Sequence, residues 1–296
     1  MCGIVGLFLK KDELQPKLGD MLTDMLITMT DRGPDSAGIA IYGNETEGAV
    51  KITVQSETPQ VHFADLQDAL QTALASDISV KVKDTHAIVS VAEDKAEAAI
   101  ALLEAKGLRI MGSGASMEIY KEVGLPKDVA ARFGLRDMGG SHGIGHTRMA
   151  TESAVTTMGA HPFSTADDQC LVHNGSLSNH NRMRRKLARQ GVMTRSENDT
   201  EVGAAYISWR IAEGASLGEA LEGTIDDLDG FFTFVTGTRN GFGVVRDPIA
   251  CKPAVMAETD DYVAFASEYR AFADLPGIEA AKVWEPEPAT VYFWER

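Results

Sequence analysis

Met1-Cys2-Gly3-Ile4-Val5-Gly6-Leu7-Phe8-Leu9 places a cysteine immediately before an unbroken apolar run. The run predicts a buried strand over Gly3–Leu9, and Gly3 permits close backbone approach beside the cysteine. Removal of Met1 would leave Cys2 with a thiol and a free α-amino group on one residue. The thiolate is the nucleophilic form, and thiols are mostly protonated at neutral pH. An α-amino group titrates at about 7.7–8.0, so it can accept that proton close to working pH. One residue then supplies nucleophile and base, as an N-terminal nucleophile requires. A cysteine at position 2 is by itself ordinary, and the rest of the chain has to carry the reading.

The chain has 296 residues, 44% of them hydrophobic, enough for a core in one large domain or two small ones. A formal net charge of −15 disfavours a nucleic-acid backbone or an anionic membrane as partner. The basic stretch Arg182-Met183-Arg184-Arg185-Lys186 lies in a helical pattern and reads as a solvated helix face, with phosphate binding as the alternative. Cys2, Cys170 and Cys251 are far apart and odd in number, so neither a disulfide framework nor a metal site is expected. With no charged leader and no membrane-length apolar stretch, the expectation is a cytoplasmic protein.

Periodicity organises the chain further. Leu18, Met21, Leu22, Met25, Leu26 and Met29 recur at helical spacing, Asp31–Ser36 breaks the helix, and Ala37–Tyr42 predicts a strand. Residues 50–114 read as strand, helix, two strands, helix, strand: a βαββαβ order that matches a ferredoxin-like module. It carries no phosphate loop or clustered His and Cys, and suits partner docking, small-molecule sensing or plain structural filling. A helical stretch is expected from Ile119, a strand over Gly143–Thr151, helices over Asn179–Gln190 and Asn198–Ala212, and short strands through the final third. Strands at both ends and helices in separate blocks argue α+β layers.

Four further motifs have bland and functional readings. Arg32-Gly33-Pro34-Asp35-Ser36 could be a Pro-containing turn, and Gly145-His146-Thr147-Arg148-Met149-Ala150-Thr151 a strand with an exposed arginine. His173-Asn174-Gly175 could be a hairpin, and Asp199-Thr200-Glu201 a helix cap after Asn198. Together with Cys2, with Ala160-His161-Pro162-Phe163 and with the late Arg246-Asp247-Pro248 and Lys252-Pro253, they resemble the class II glutamine amidotransferase domain. The matches keep that family's order and span nearly the whole chain outside 50–114. The resemblance implies a four-layer αββα sandwich of the N-terminal nucleophile hydrolase type, formed by residues 2–49 and 115–296, with 50–114 as a ferredoxin-like insertion.

It also implies roles. Cys2 would attack the glutamine amide carbon, giving a glutamyl thioester and ammonia. Asn174, through its side-chain NH2, and Gly175, through its backbone N–H, would hold the oxyanion. Arg148 would pair with the substrate α-carboxylate, which its planar fork suits, and Asp199 with the α-ammonium. Arg32 would sit near the cysteine, while Thr151 and His161 would lie on the substrate loop. For His146, His161 and His173 the structural reading is preferred, because the α-amine already supplies a base. Met149 stands where many members carry an aromatic residue, which implies looser closure over glutamine.

The chain shows no dinucleotide fingerprint and no iron–sulfur cysteine spacing, so no cofactor is expected on it. The ammonia-consuming chemistry is expected on other chains. The insertion and Met117–Pro126 resemble separately encoded amidotransferase subunits of glutamate-synthase-like complexes, most of all that of N-methylglutamate synthase. That likeness implies a flavin-bearing (FMN) subunit with iron–sulfur clusters, a further β-helical subunit, and methylamine as an alternative nitrogen donor. Two other functions stay open: a stand-alone N-terminal-cysteine amidase, which Arg148 and Asp199 disfavour, and a non-catalytic structural or regulatory subunit.

Overall fold

The computed structural model describes residues 2–150 and 154–296. In chain order the strands are β1 (Gly3–Leu9), β2 (Ser36–Tyr42), β3 (Ala49–Gln55), β4 (Ser79–Lys83), β5 (His86–Ala92), β6 (Arg109–Gly114), β7 (Met117–Val123), β8 (His142–Arg148), β9 (Phe163–Ala166), β10 (Gln169–Leu177), β11 (Gly230–Gly237), β12 (Gly241–Arg246), β13 (Val255–Glu258), β14 (Tyr262–Ala266), β15 (Lys282–Trp284) and β16 (Val291–Glu295). The helices are α1 (Leu18–Thr28), α2 (Pro59–His62), α3 (Leu66–Leu74), α4 (Ala96–Ala105), α5 (Pro126–Phe133), α6 (His180–Arg189), α7 (Asp199–Ala212) and α8 (Leu217–Asp227).

A seven-stranded sheet runs β15-β13-β14-β1-β8-β2-β7, and a five-stranded sheet runs β16-β12-β11-β10-β9. Every residue of β1 is buried because both of its faces are covered. Val5, Leu7 and Leu9 meet Leu22, Met25 and Leu26 of α1, whereas Ile4 and Phe8 point at Val172, Val235 and Phe242 of the second sheet. The alternation is the period of two that a strand imposes. Gly6 keeps the sheets close: a Cβ there would lie 2.7 Å from the Phe242 ring. The outer face of the second sheet, with Leu171, Phe232, Phe234 and Val245, packs against Leu187 of α6, Val202 and Tyr206 of α7, and Leu217 and Leu221 of α8.

Residues 49–114 form a separate four-stranded sheet in the order β4-β5-β3-β6. It has its own core, where Ile52, Val54 and Val89 pack against Leu66, Leu70 and Leu103 of α3 and α4. The last strand of this module wedges between the edges of the two larger sheets: a Cβ on Gly112 would lie 2.9 Å from Ile119 of β7 and 3.3 Å from Ser164 of β9. The Asp168 carboxylate fastens the return of the chain, accepting from the backbone N–H groups of Ala115 (2.8 Å), Ser116 (2.9 Å) and Met117 (2.9 Å).

One expectation is corrected and one alternative reading is set aside. The stretch from Ile119 is not helical up to Val123: it is edge strand β7, paired with β2 along its whole length, and a helix starts only at Pro126. Met117 and Ile119 face the inter-sheet core while Tyr120 faces α5, and this alternation outweighs the helical tendency of the Lys-Glu pair. Asn174-Gly175 is no hairpin turn, because it lies inside β10 and pairs with Thr233 and Phe232 of β11. Helix α8 was not anticipated, although Ser216 and Glu219 form a reciprocal capping box at its start.

Candidate active site

The first residues of β1 are gripped from three directions. The carbonyl of Cys2 accepts from Arg32 Nε (3.0 Å) and from Asn174 Nδ2 (3.2 Å). Ile4 N donates to Ser267 Oγ (3.0 Å), and Ser267 N returns a bond to the Ile4 carbonyl (2.9 Å). Glu268, the next residue, pairs with Arg32 Nη1 at 2.9 Å. The glycines explain why this crowding is feasible. A Cβ on Gly3 would sit 2.7 Å from both Met29 Cβ and Thr147 Oγ1, and one on Gly33 would sit 2.3 Å from the Thr147 carbonyl carbon.

Cys2 is half-buried. Asn174 is buried, but Gly175 beside it is exposed, so this end of β10 opens to solvent. Gly175 has φ +152°, and a Cβ there would lie 1.9 Å from the Phe231 carbonyl oxygen; only glycine fits.

The Asp199-Thr200-Glu201 run divides three tasks at the start of α7. Asn198 caps the helix by accepting from Thr200 N (2.8 Å). Asp199 accepts from Leu177 N (2.9 Å) and lies 3.8 Å from His173 Nδ1, which places its carboxylate two residues past Gly175. Glu201 turns back and ties down the preceding loop through Arg195 N (2.7 Å) and Ser196 N (2.6 Å). Thr200 Oγ1 is shared between His161 Nε2 (2.8 Å) and His173 Nδ1 (3.1 Å).

The histidines form a buried layer beneath the site. His146 stacks on His161 with ring centroids 4.0 Å apart, and its Nε2 meets the His173 carbonyl at 3.1 Å. Burial pushes His146 down to about 3 and holds His161 and His173 below the ordinary imidazole value as well, so all three are neutral at pH 7. The His161 ring faces Thr200 and His146 within the interior. Lys121 Nζ braces the same layer by donating to the Ala160 carbonyl (2.8 Å) and the Pro162 carbonyl (3.2 Å) around the cis His161–Pro162 bond. Burial pushes this lysine down to about 7.

Arg148 ends β8 and is largely buried, with Nη1 at 3.4 Å from the Ala154 carbonyl. Asp35 of the Pro-containing turn fixes its backbone: Asp35 N donates to the Arg148 carbonyl (3.1 Å), and the Asp35 carboxylate accepts from Ala150 N (2.8 Å). Cys2, Arg32, Asn174 and Gly175 thus converge, Asp199 joins them through Leu177 and His173, and Arg148 borders the histidine layer. Thr151 lies outside the described residues, as does Met1. Sequence reasoning missed Ser267 and Glu268, for which no local signal exists. It missed Thr200 and Lys121 too, although Thr200 sat inside a motif already singled out.

The chain is similar to known proteins in sequence and in fold. The family description "Glutamine amidotransferase domain" matches residues 146–274. The chain is 67% identical over 297 residues to the "Glutamine amidotransferase-like protein GlxB" of Rhizobium meliloti (strain 1021), covering 100% of this chain and 98% of that protein. A Methanothermobacter thermautotrophicus protein, provisionally named a glutamine amidotransferase, is 33% identical over 307 residues and is covered completely, as is this chain. Among solved structures, the glutamine phosphoribosylpyrophosphate amidotransferase of B. subtilis superposes with a TM-score of 0.63 at 19% identity. That match covers 99% of this chain but 47% of the enzyme's, so the likeness is one of fold over about half its length.

Proposed function

The chain belongs to the class II glutamine amidotransferase family, and we propose that it cleaves the side-chain amide of glutamine with Cys2 as nucleophile. The observation that carries this reading is the convergence of Arg32 and Asn174 on the Cys2 carbonyl, at a half-buried residue beside the exposed Gly175. In the proposed reaction the Cys2 α-amine, freed by loss of Met1, takes the thiol proton. The sulfur then attacks the amide carbon. Asn174 retains a second N–H beyond the one given to Cys2, and that donor with the Gly175 N–H stabilises the oxyanion. Collapse breaks the C–N bond, the α-ammonium returns its proton to the leaving nitrogen, and ammonia departs from a glutamyl thioester. Water then releases glutamate and restores the thiol.

Arg148 and Asp199 serve as the clamps for the two charged ends of glutamine, with Arg32 ordering the cysteine. Thr151 belongs to the same substrate loop in this reading, and His161 supports it from below. We read the layered helix, sheet, sheet, helix arrangement as the N-terminal nucleophile sandwich, and residues 50–114 as an inserted ferredoxin-like subdomain. The test is ammonia release from glutamine by protein whose intact mass shows loss of one methionine. A Cys2→Ala variant should abolish both turnover and covalent capture of a glutamine-derived diazoketone. Turnover surviving in that variant, or in material that keeps Met1, would overturn the mechanism.

We further propose that the ammonia is consumed by a glutamate-synthase-like partner carrying FMN and iron–sulfur clusters, in a complex of the N-methylglutamate synthase type with a β-helical third subunit. Support comes from the βαββαβ order of 50–114 and the Met117–Pro126 stretch, both of which resemble such separately encoded subunits. Copurification from the native source, followed by assay with methylamine and glutamate, decides it: a flavin-free preparation without partners speaks against this assembly.

A further inference from the structure

Glu268 lies 236 residues from Arg32 in sequence, yet it supplies the carboxylate against which the Arg32 guanidinium is braced, with Nη1 to Oε1 at 2.9 Å. The same guanidinium uses Nε to hold the Cys2 carbonyl at 3.0 Å. Glu268 is in turn fixed by Arg270, whose Nε reaches Oε2 at 2.6 Å, and Arg270 lies 3.5 Å from Asp31, the neighbour of Arg32. Immediately before it, Ser267 exchanges two hydrogen bonds with the main chain of Ile4. The segment after β14 therefore touches the start of the chain twice, once directly at Ile4 and once through Arg32 at Cys2. The Arg32 side chain is only 9% exposed, and its Nη2 is buried without a partner. Arginine rotamers are many, and a guanidinium in this place would not favour the one that points Nε at Cys2 unless something fixed its far end.

We propose that Ser267 and Glu268 form a clasp that positions the nucleophile, with Glu268 acting through Arg32 as a positioning residue for Cys2. The inference rests on Cys2 being the reactive residue. Arg32 fixes the Cys2 carbonyl, and with it the direction in which the Cα–Cβ bond carries the sulfur. Glu268 sets the plane of Arg32, so its charge matters less than its geometry. Neither touches the reacting atoms. Loss of the clasp should leave glutamine binding nearly intact while the sulfur samples unproductive positions, and a misplacement of about 1 Å can cost on the order of a hundredfold in rate.

The experiment compares wild type, Glu268→Ala, Glu268→Gln, Arg32→Ala and the Glu268→Ala/Arg32→Ala double variant. Two readouts are used: steady-state glutamine hydrolysis, and the rate of Cys2 alkylation by iodoacetamide followed by mass spectrometry. Thermal unfolding reports the folded fraction. Glu268→Ala should lower kcat about tenfold or more with KM for glutamine changed less than about threefold, and should change the alkylation rate by a similar factor. Glu268→Gln, which keeps an oxygen acceptor for Nη1, should recover most of the loss. The double variant should be no worse than Arg32→Ala alone, because the two residues act in series. Glu268→Ala with wild-type kcat and alkylation overturns the clasp, whatever its melting temperature, and so does a double variant whose losses multiply. A wild type that is alkylated at Cys2 but never hydrolyses glutamine fails the proposed function instead, and the alkylation series then decides the clasp alone.

Discussion

In the proposed mechanism Asn174 has two jobs at one NH2 group, which makes it the most revealing residue to change. It holds the Cys2 carbonyl at 3.2 Å and has a second N–H for the oxyanion. Asn174→Ala should lower kcat for glutamine by roughly 10²–10³-fold, the loss associated with one oxyanion donor, with a smaller change in KM. Steady-state kinetics checks this, and an unchanged kcat would remove Asn174 from the reaction. Most residues of the candidate site could be nominated from the sequence because they occur in short ordered motifs: Cys2, Arg32, Arg148, Asn174 and Asp199. Ser267 and Glu268 could not, because nothing near them in sequence differs from an ordinary strand end. Their meaning comes only from pairing across more than 230 residues. The buried placement of the histidines was equally hidden, since a His in a strand reads the same whether it faces solvent or the interior.

Strand β10 shows how an element can depend on one residue. Gly175 has a left-handed φ and no room for a side chain, so Gly175→Ala would force β10 away from β11 near Phe231. The expected cost is about 2 kcal/mol or more, read as a fall in the denaturant midpoint, together with loss of glutamine turnover. The same residue by sequence alone suggests a turn, because Asn-Gly favours hairpins; the long β10–β11 register overrides that tendency. Helix α8 illustrates the opposite case. Ser216 Oγ accepts from Glu219 N (3.2 Å) while the Glu219 carboxylate accepts from Ser216 N (2.8 Å). Ser216→Ala should destabilise the protein by about 1 kcal/mol without altering kcat, because α8 packs on the far side of the second sheet. The Ser216-x-x-Glu219 pattern marks that helix start in the sequence, but the expectation of short strands through the final third passed over it, whereas β1 was readable to its ends because a run buried on both faces needs no alternation.

The molecule as a whole should be sensitive to acid. Burial pushes His86, His142 and His146 each down to about 3, whereas an unfolded histidine titrates near 6.5. Between those values the unfolded chain binds protons that the folded chain does not. The contribution of these histidines is therefore fully present above about pH 6.5 and is lost as pH drops toward 3, by up to about 1.4 kcal/mol per pH unit for each of them. Urea unfolding at pH 7 and pH 5 should show a clearly lower midpoint at pH 5, and equal midpoints would mean these rings are not held neutral. The sequence made the mix of strands and helices predictable in kind, since apolar strands and amphipathic helices have few ways to cover one another. It did not disclose that β6, with Gly112 against Ile119 and Ser164, stops up the open side of both large sheets, nor that Asp168 locks it there. An excised 50–114 module would consequently leave two raw strand borders, β7 and β9, available to any neighbouring molecule, and the truncated protein should self-associate rather than merely lose a decoration.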